Sequence, residues 1–314
     1  MYKAEILADS LSPQGNRLTT MKITFPRFIL AEFNTHRMFS RNSASSRAIP
    51  FKKMVQMVEE NPFIPIAWQK DHKGMQGFNY LTDQLEIDLA ISNWLEARNS
   101  ALDLAINLNK QSNVTKQLCN RLLEPFMWHT VIVSATEWEN FFALRCPQYE
   151  CSFSKNLFRS KKEACQKDAY NEFSNFGEID WLQCNKSQAD IHIQAIAELM
   201  WDAYNESTPK QLKAGEWHIP FGDKFDYNKI DKLNEGIGEE NEIKIATARC
   251  ARISYETLGD NPKIDYEADL RLHDMLVKNG HASPLEHCAL ATNDCNWYAN
   301  FKGFIQYRHL IENN

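Results

Sequence analysis

The chain has 314 residues and a mass of 36.5 kDa, enough for one large domain or two small ones and for a sizeable core. Hydrophobic residues make up 43% and charged residues 24%, with 11 Gly and 11 Pro, which excludes a disordered polyampholyte or a fibrous repeat. Forty-one acidic against 35 basic residues leave a net charge of −6, which disfavours broad binding to nucleic acid yet permits a local basic pocket.

No apolar run approaches the roughly 20 residues of a membrane span, and MYKAEILADS lacks a signal peptide's basic start and apolar centre, so a cytoplasmic protein is expected. Eight cysteines are too few for a disulfide scaffold at this length, and about half are expected to be buried as small hydrophobes.

In chain order, Met21, Ile23 and Phe25 alternate with polar residues as in a half-buried strand, up to Pro26. Residues 26–47 begin apolar and helical and then turn serine-rich, which predicts a helix running into an ordered loop. Residues 50–78, with Pro50, Pro62, Pro65, Gly74 and Gly77 around Trp68 and Met75, read as a largely irregular, lid-like excursion. From 79 to 109, Leu81, Leu85, Leu89, Leu95, Leu102 and Ile106 give one long or two abutting amphipathic helices. A short helix then closes at Arg121–Glu124, and TVIVS at 130–134 reads as a buried strand.

Thr136 and Glu139 form a T-x-x-E capping box ahead of NFFALR. Residues 146–187, polar, lysine-rich and bearing four cysteines, look inserted before an amphipathic helix at 188–205. After a connector at 222–242, helices are expected at 243–254 and 265–279, ahead of HASPLEH and an apolar stretch ending in FIQYRH.

THRMFSRNSASSR, residues 35–47, gathers His36, Arg37, Arg41 and Arg47 among short hydroxyl and amide donors, a composition suited to phosphate or to a solvated basic loop. Arg121 and Arg145 stand at element junctions, as surface residues or as further anion contacts. His281 and His287 are six apart with Pro284 between them, which favours a turn over a metal site. Cys146, Cys151, Cys165 and Cys184 lack a paired C-x-x-C, so zinc held by these four is a minor reading, and no Ser/His/Asp or thiol nucleophile stands out.

Together these segments resemble the flavin-dependent thymidylate synthases. The family signature reads R-H-R, two residues, Ser, four residues, Ser, one residue, Arg; here it stands as Thr35-His36-Arg37, Ser40, Ser45 and Arg47, with Asn42 matching a frequent asparagine. RLLEP resembles the family's Arg-x-x-x-Pro, ENFFALR its helix ending in arginine, and ADIHIQAIA the next helix of the family. ARISY and GHASPLEH resemble elements that in the family precede the arginine motif, whereas here they come after it, so the chain looks circularly permuted.

The resemblance implies an α+β fold with a central antiparallel or mixed sheet and flanking helices, as one permuted domain over 1–314 with inserts near 50–78 and 146–187. It implies transfer of a one-carbon group from methylenetetrahydrofolate to C5 of dUMP through FAD, with NADPH as reductant, in a homotetramer with sites between subunits. Carried over, Glu32, Ser43, Ser45, Arg47, Arg121 and Arg145 would contact the nucleotide, with Arg145 against the uracil ring as the catalytic group. Thr35, His36, Arg37, Asn140 and His287 would contact the flavin, and no metal is implied. Four positions depart from the family: Thr35 replaces an arginine, Glu32 a glutamine, Ser43 a glutamate and Ala48 a tyrosine. The alternatives are a related flavin and folate enzyme altering another pyrimidine nucleotide at C5, for example by hydroxymethylation, and a non-enzymatic nucleic-acid-binding protein.

Overall fold

Strands β1 (Lys3–Leu11) and β2 (Arg17–Pro26) pair antiparallel through a turn at which Gly15 takes φ +81°, a conformation glycine reaches without a Cβ penalty. The computed structural model describes all residues except 75, 76, 78, 147, 185–188, 235–239, 256–264 and 314, together with all side chains but those of Asn234 and Tyr255 within that range. Met75 of the predicted excursion lies outside the described residues.

Strand β3 (Ser40–Ser43) and strand β4 (Trp128–Ala135) complete the sheet with the short strand Lys210–Gln211, which runs parallel to β1. The order is β3, β4, β2, β1, then Lys210–Gln211, so the sheet is mixed. The predicted TVIVS strand is β4, and Val131–Ala135 are all buried because both faces of the sheet are covered.

On one face, Met21, Ile23, Phe25, Val131 and Val133 meet helices α3 (Glu139–Arg145) and α4 (Ile191–Glu206) through Phe141, Phe142, Ile193, Ile196 and Met200. Each such fully buried large apolar side chain contributes about 1.5–3 kcal/mol. On the other face, Leu7 and Ile132 meet helices α5 (Glu240–Arg252) and α6 (Tyr266–Lys278) through Ile243, Ile245, Cys250 and Tyr266, with Leu285 and Tyr307 beside them. The architecture is α+β, a mixed sheet between helices, as expected.

Several local expectations change. The predicted helix-to-loop segment holds only a 3-10 turn at Arg27–Ile29 and one helical turn at Leu30–Phe33 before β3, a strand where a loop was expected, because its alternate residues Ser40 and Asn42 are buried beside β4. Within the excursion, helix α1 (Phe51–Glu60) buries Met54 and Val58. Helix α2 (Gln84–Lys110) is a single helix capped by Asp83, whose carboxylate accepts from the N–H groups of Leu85 and Glu86. Only Leu102 and Ala105 of that helix are buried, while Leu85, Leu89 and Leu104 are exposed. The connector at 222–242 contains a helix at Tyr227–Asn234. The capping box does not form: Trp138 precedes α3 without a side-chain cap, and Thr136 Oγ1 instead accepts from the N–H of Lys302. Among the described residues no helix is long and apolar enough to cross a membrane.

Candidate functional site

After Phe33 the chain turns, with the N–H groups of Thr35 and His36 donating to the carbonyls of Glu32 and Phe33. This turn presses His36 edge-on against Phe141, the aromatic core of α3. Arg145, the last residue of α3, then meets it: Nε donates to His36 Nε2 at 3.1 Å and Nη2 donates to Thr35 Oγ1 at 3.4 Å. Arg41 Nη1 closes the turn from the other side, donating to the carbonyls of Phe33 at 3.5 Å and His36 at 3.4 Å. A guanidinium N–H can only donate, so His36 Nε2 is an acceptor and the imidazole is neutral. Burial first, and then the charges of Arg145 and Arg41, push its pKa down to about 4.

The arginines of this region lack counter-charges. Among the described residues, Arg37, Arg41, Arg47, Arg121 and Arg145 have no carboxylate within ion-pair distance, whereas Arg17, Arg27, Arg249, Arg252 and Arg271 each have one and Arg308 has two. Glu286, whose charge is felt at Arg41, is itself paired with Arg308 at 2.7 Å. Guanidiniums held by carbonyls, a hydroxyl and a neutral imidazole keep their full charge for an anion from outside.

Distant parts of the chain converge on β3. The Asn42 side-chain amide donates to the carbonyl of Cys250 at 2.6 Å, and its oxygen accepts from the Ser283 hydroxyl at 3.2 Å. The Ser45 N–H donates to the Ser254 carbonyl at 3.1 Å, and the Ser254 hydroxyl donates to the Ser43 carbonyl at 3.4 Å. Ser40 accepts from Gln306 at 3.0 Å and from Asn300 at 3.1 Å. The ARIS and HASP segments therefore adjoin the serine–arginine segment in space.

The expected site residues fall into three groups. Thr35, His36 and Arg145 are in direct contact, with Glu32 and Arg37 exposed on the same turn. Ser43 and Ser45 lie at the end of β3, beside Arg47, whose Nη2 reaches Gln117 at 3.4 Å, four residues before the exposed Arg121. Asn140 is exposed on the first turn of α3 and makes none of these contacts. His287 is fully buried, and its Nδ1 meets Ser134 Oγ at 2.8 Å. The two histidines of HASPLEH sit in different environments, since His281 is exposed.

Sequence reasoning missed the buried chain of which His287 is one end. Ser134 meets Thr20 at 2.6 Å, Thr20 meets His218 Nε2 at 2.8 Å, and His218 Nδ1 meets Ser10 at 2.9 Å. The cause is register, because Thr20 and Ser134 are directly paired residues of β2 and β4 and so share a face. Burial drives the pKa of His218 and of His287 down to about 3, and His287 Nε2 has no partner among the described residues. Hydroxyls at core positions of Ser10, Thr20 and Ser134 were the available signal.

No family model and no curated protein matches the sequence. Among solved structures the chain is similar to the UMP/dUMP methylase PolB from Streptomyces cacaoi bound with 5-Br UMP, at 13% identity over 66% of this chain and 89% of that one, with a TM-score of 0.44. Against PolB bound with 5-Br dUMP the identity is 11% over 60% and 98% of the two chains, with a TM-score of 0.38.

Proposed function

We propose that this chain is an enzyme that transfers a one-carbon group from methylenetetrahydrofolate to C5 of dUMP, giving dTMP, with FAD as cofactor and NADPH as reductant. The observation that carries the reading is the junction at β3, where Asn42 and Ser45 bond to Cys250, Ser254 and Ser283. A permuted order of the motifs requires such a junction. The uncompensated arginines beside it supply the charge that a nucleotide phosphate and a dinucleotide's diphosphate need.

In this reading Ser45, Arg47 and Arg121 hold the nucleotide phosphate, with Ser43 and Glu32 toward its sugar and base. Thr35, His36, Arg37 and Asn140 hold the flavin; the half-buried Arg41, which no carboxylate neutralises, fits its anionic groups, whereas the enclosed His287 supports the sheet behind them. Bound FAD supplies the hydride and carbon-transfer chemistry. The chain supplies position and charge: Arg145, fixed by His36 and Thr35, faces the uracil ring and stabilises negative charge at N3 without giving up its own proton. The exposed leucines of the 84–110 helix meet another subunit in a homotetramer.

The test is FAD reconstitution of the purified protein, followed by dUMP-dependent NADPH oxidation and product mass. A flavin spectrum perturbed by dUMP and a product heavier by one methylene group are expected. Protein that stays colourless and inert overturns the reading. The exposed carboxylate of Glu32, where the family carries an amide, favours a second reading in which a different pyrimidine nucleotide is altered at C5, hydroxymethylation included; a nucleotide panel with product masses separates the two.

A further inference from the structure

Residues 148–184 fold around their own core of Phe158, Phe173, Trp181 and Leu182, packed on Ile191 and Ala195 of α4. Inside this segment three side chains of two donor types converge. Cys151 Sγ lies 3.0 Å from Glu172 Oε2 and 3.6 Å from Asp168 Oδ1, and one ligand atom from each of the three lies within 4.8 Å of the others. Cys151 is fully buried, Asp168 is 5% exposed and Glu172 is half-buried.

Two carboxylates and a thiol in a confined space call for a cation. The segment is rich in lysine, yet its described lysines are committed elsewhere. Lys155 pairs with Glu150 at 3.2 Å, Lys162 with Glu206, and Lys167 with Glu163 at 2.8 Å, while Lys161 donates to the Phe176 carbonyl. Among the described residues neither Asp168 nor Glu172 has a Lys, Arg or His in ion-pair contact. Backbone donors fix the three groups in place: Tyr170 and Glu172 N–H donate to Asp168, Ser152 N–H to Glu172, and Ser154 N–H to Cys151 Sγ.

We propose that Cys151, Asp168 and Glu172 form a binding site for one divalent metal ion of the zinc class. Zinc bound tetrahedrally by a thiolate at about 2.3 Å and a carboxylate at about 2.1 Å sets its sulfur and oxygen ligands about 3.6 Å apart. The Cys151–Asp168 separation of 3.6 Å equals that value, and the 3.0 Å contact in which the Cys151 thiol now donates to Glu172 would open by about 0.6 Å once the ion replaces the thiol proton. A sulfur ligand selects zinc, cobalt or cadmium over magnesium and calcium. Binding releases the Cys151 proton to solvent, so that the thiolate and two carboxylates surround the ion and a fourth position stays open to water. This set differs from the four-cysteine reading of the sequence. Cys146 donates instead to the Arg159 carbonyl, and Cys165 and Cys184 are exposed. The ion ties residue 151 to residues 17 and 21 positions further along, stapling the segment to itself.

The experiment is a cobalt titration of the chelator-stripped full-length protein, followed by near-ultraviolet thiolate-to-cobalt absorption and repeated with zinc as competitor. The expected result is a band saturating at one equivalent and displaced by zinc, absent in Cys151→Ser and retained in Cys165→Ser and Cys184→Ser. Asp168→Asn and Glu172→Gln, close in shape to the native residues, should weaken binding about tenfold or more while leaving the circular dichroism spectrum unchanged. A folded protein without the band, a band that survives in Cys151→Ser, or affinity unchanged in both carboxamide variants overturns the proposal.

Discussion

The side-chain amide of Asn42 and the carbonyl of Cys250 meet at 2.6 Å across 208 residues of sequence, at a place sealed from water. Asn42→Ala leaves that carbonyl and the Ser283 hydroxyl without their partner. A loss of about 1–3 kcal/mol is expected, seen as a lower urea midpoint at an unchanged denaturant slope.

Arg145 and His36 form a second pair with a measurable signature. In Arg145→Ala the His36 pKa should rise from about 4, because a neighbouring positive charge has gone, yet stay below 6.5, because burial is the larger cause. Titration of the imidazole by NMR reads this directly. The same variant should lose dUMP turnover by about a hundredfold or more, and Arg145→Lys should restore little of it, since lysine lacks the planar fork that reaches both Thr35 and His36.

Nucleotide affinity should follow charge at three exposed positions. Arg47→Ala and Arg121→Ala should each weaken dUMP binding about tenfold and flatten its dependence on salt, whereas Glu32→Gln should strengthen it. Calorimetric titration at two salt concentrations checks all three. Unchanged affinity in both arginine variants would remove them from the phosphate site.

Stability should fall on both sides of neutrality. His36, at about 4, and His129, His218 and His287, at about 3, are held neutral by burial, whereas the unfolded chain protonates them near 6.5. Their folded values are depressed, so their contribution is complete above 6.5 and drains away as pH falls toward 3–4, by up to about 1.4 kcal/mol per pH unit for each. Glu198 behaves oppositely: burial raises it to about 8, so its contribution is lost as pH rises from about 4.5 through 8. Urea midpoints measured across pH should show both limbs, and Glu198→Gln should flatten the alkaline one.

Replacing Leu89 and Leu104 with glutamate should lower the molar mass seen by light scattering while leaving helical content intact, since both side chains are exposed. A mass unaffected by the double change would place the subunit contact elsewhere.

Periodicity revealed β2 and the helices at 84–110 and 191–206, because each shows one pattern over many residues, and the β-branched run TVIVS revealed β4. It failed at β3, a four-residue strand whose buried positions are Ser40 and Asn42, polar residues made tolerable only by partners more than 200 positions away. The capping box failed for a related reason, since the Thr136 hydroxyl was taken by Lys302. At the candidate site the residue types were visible in sequence, and the contact of Arg145 with Thr35 and His36 was not, because hydrogen bonds across 109 and 110 residues leave no local signal. The enclosure of His287 was hidden likewise, for its partner Ser134 lies on another strand.

The dependence of β3 on residues near 250, 283 and 306 also governs how the molecule comes into being. During synthesis, strands β1, β2 and β4 leave the ribosome with Leu7 and Ile132 bare, and residues that cover them, such as Phe221, Ile243 and Tyr307, are made some 90 or more positions later. The nascent polypeptide must wait for α5 and α6, and in that interval it is a natural client for a chaperone.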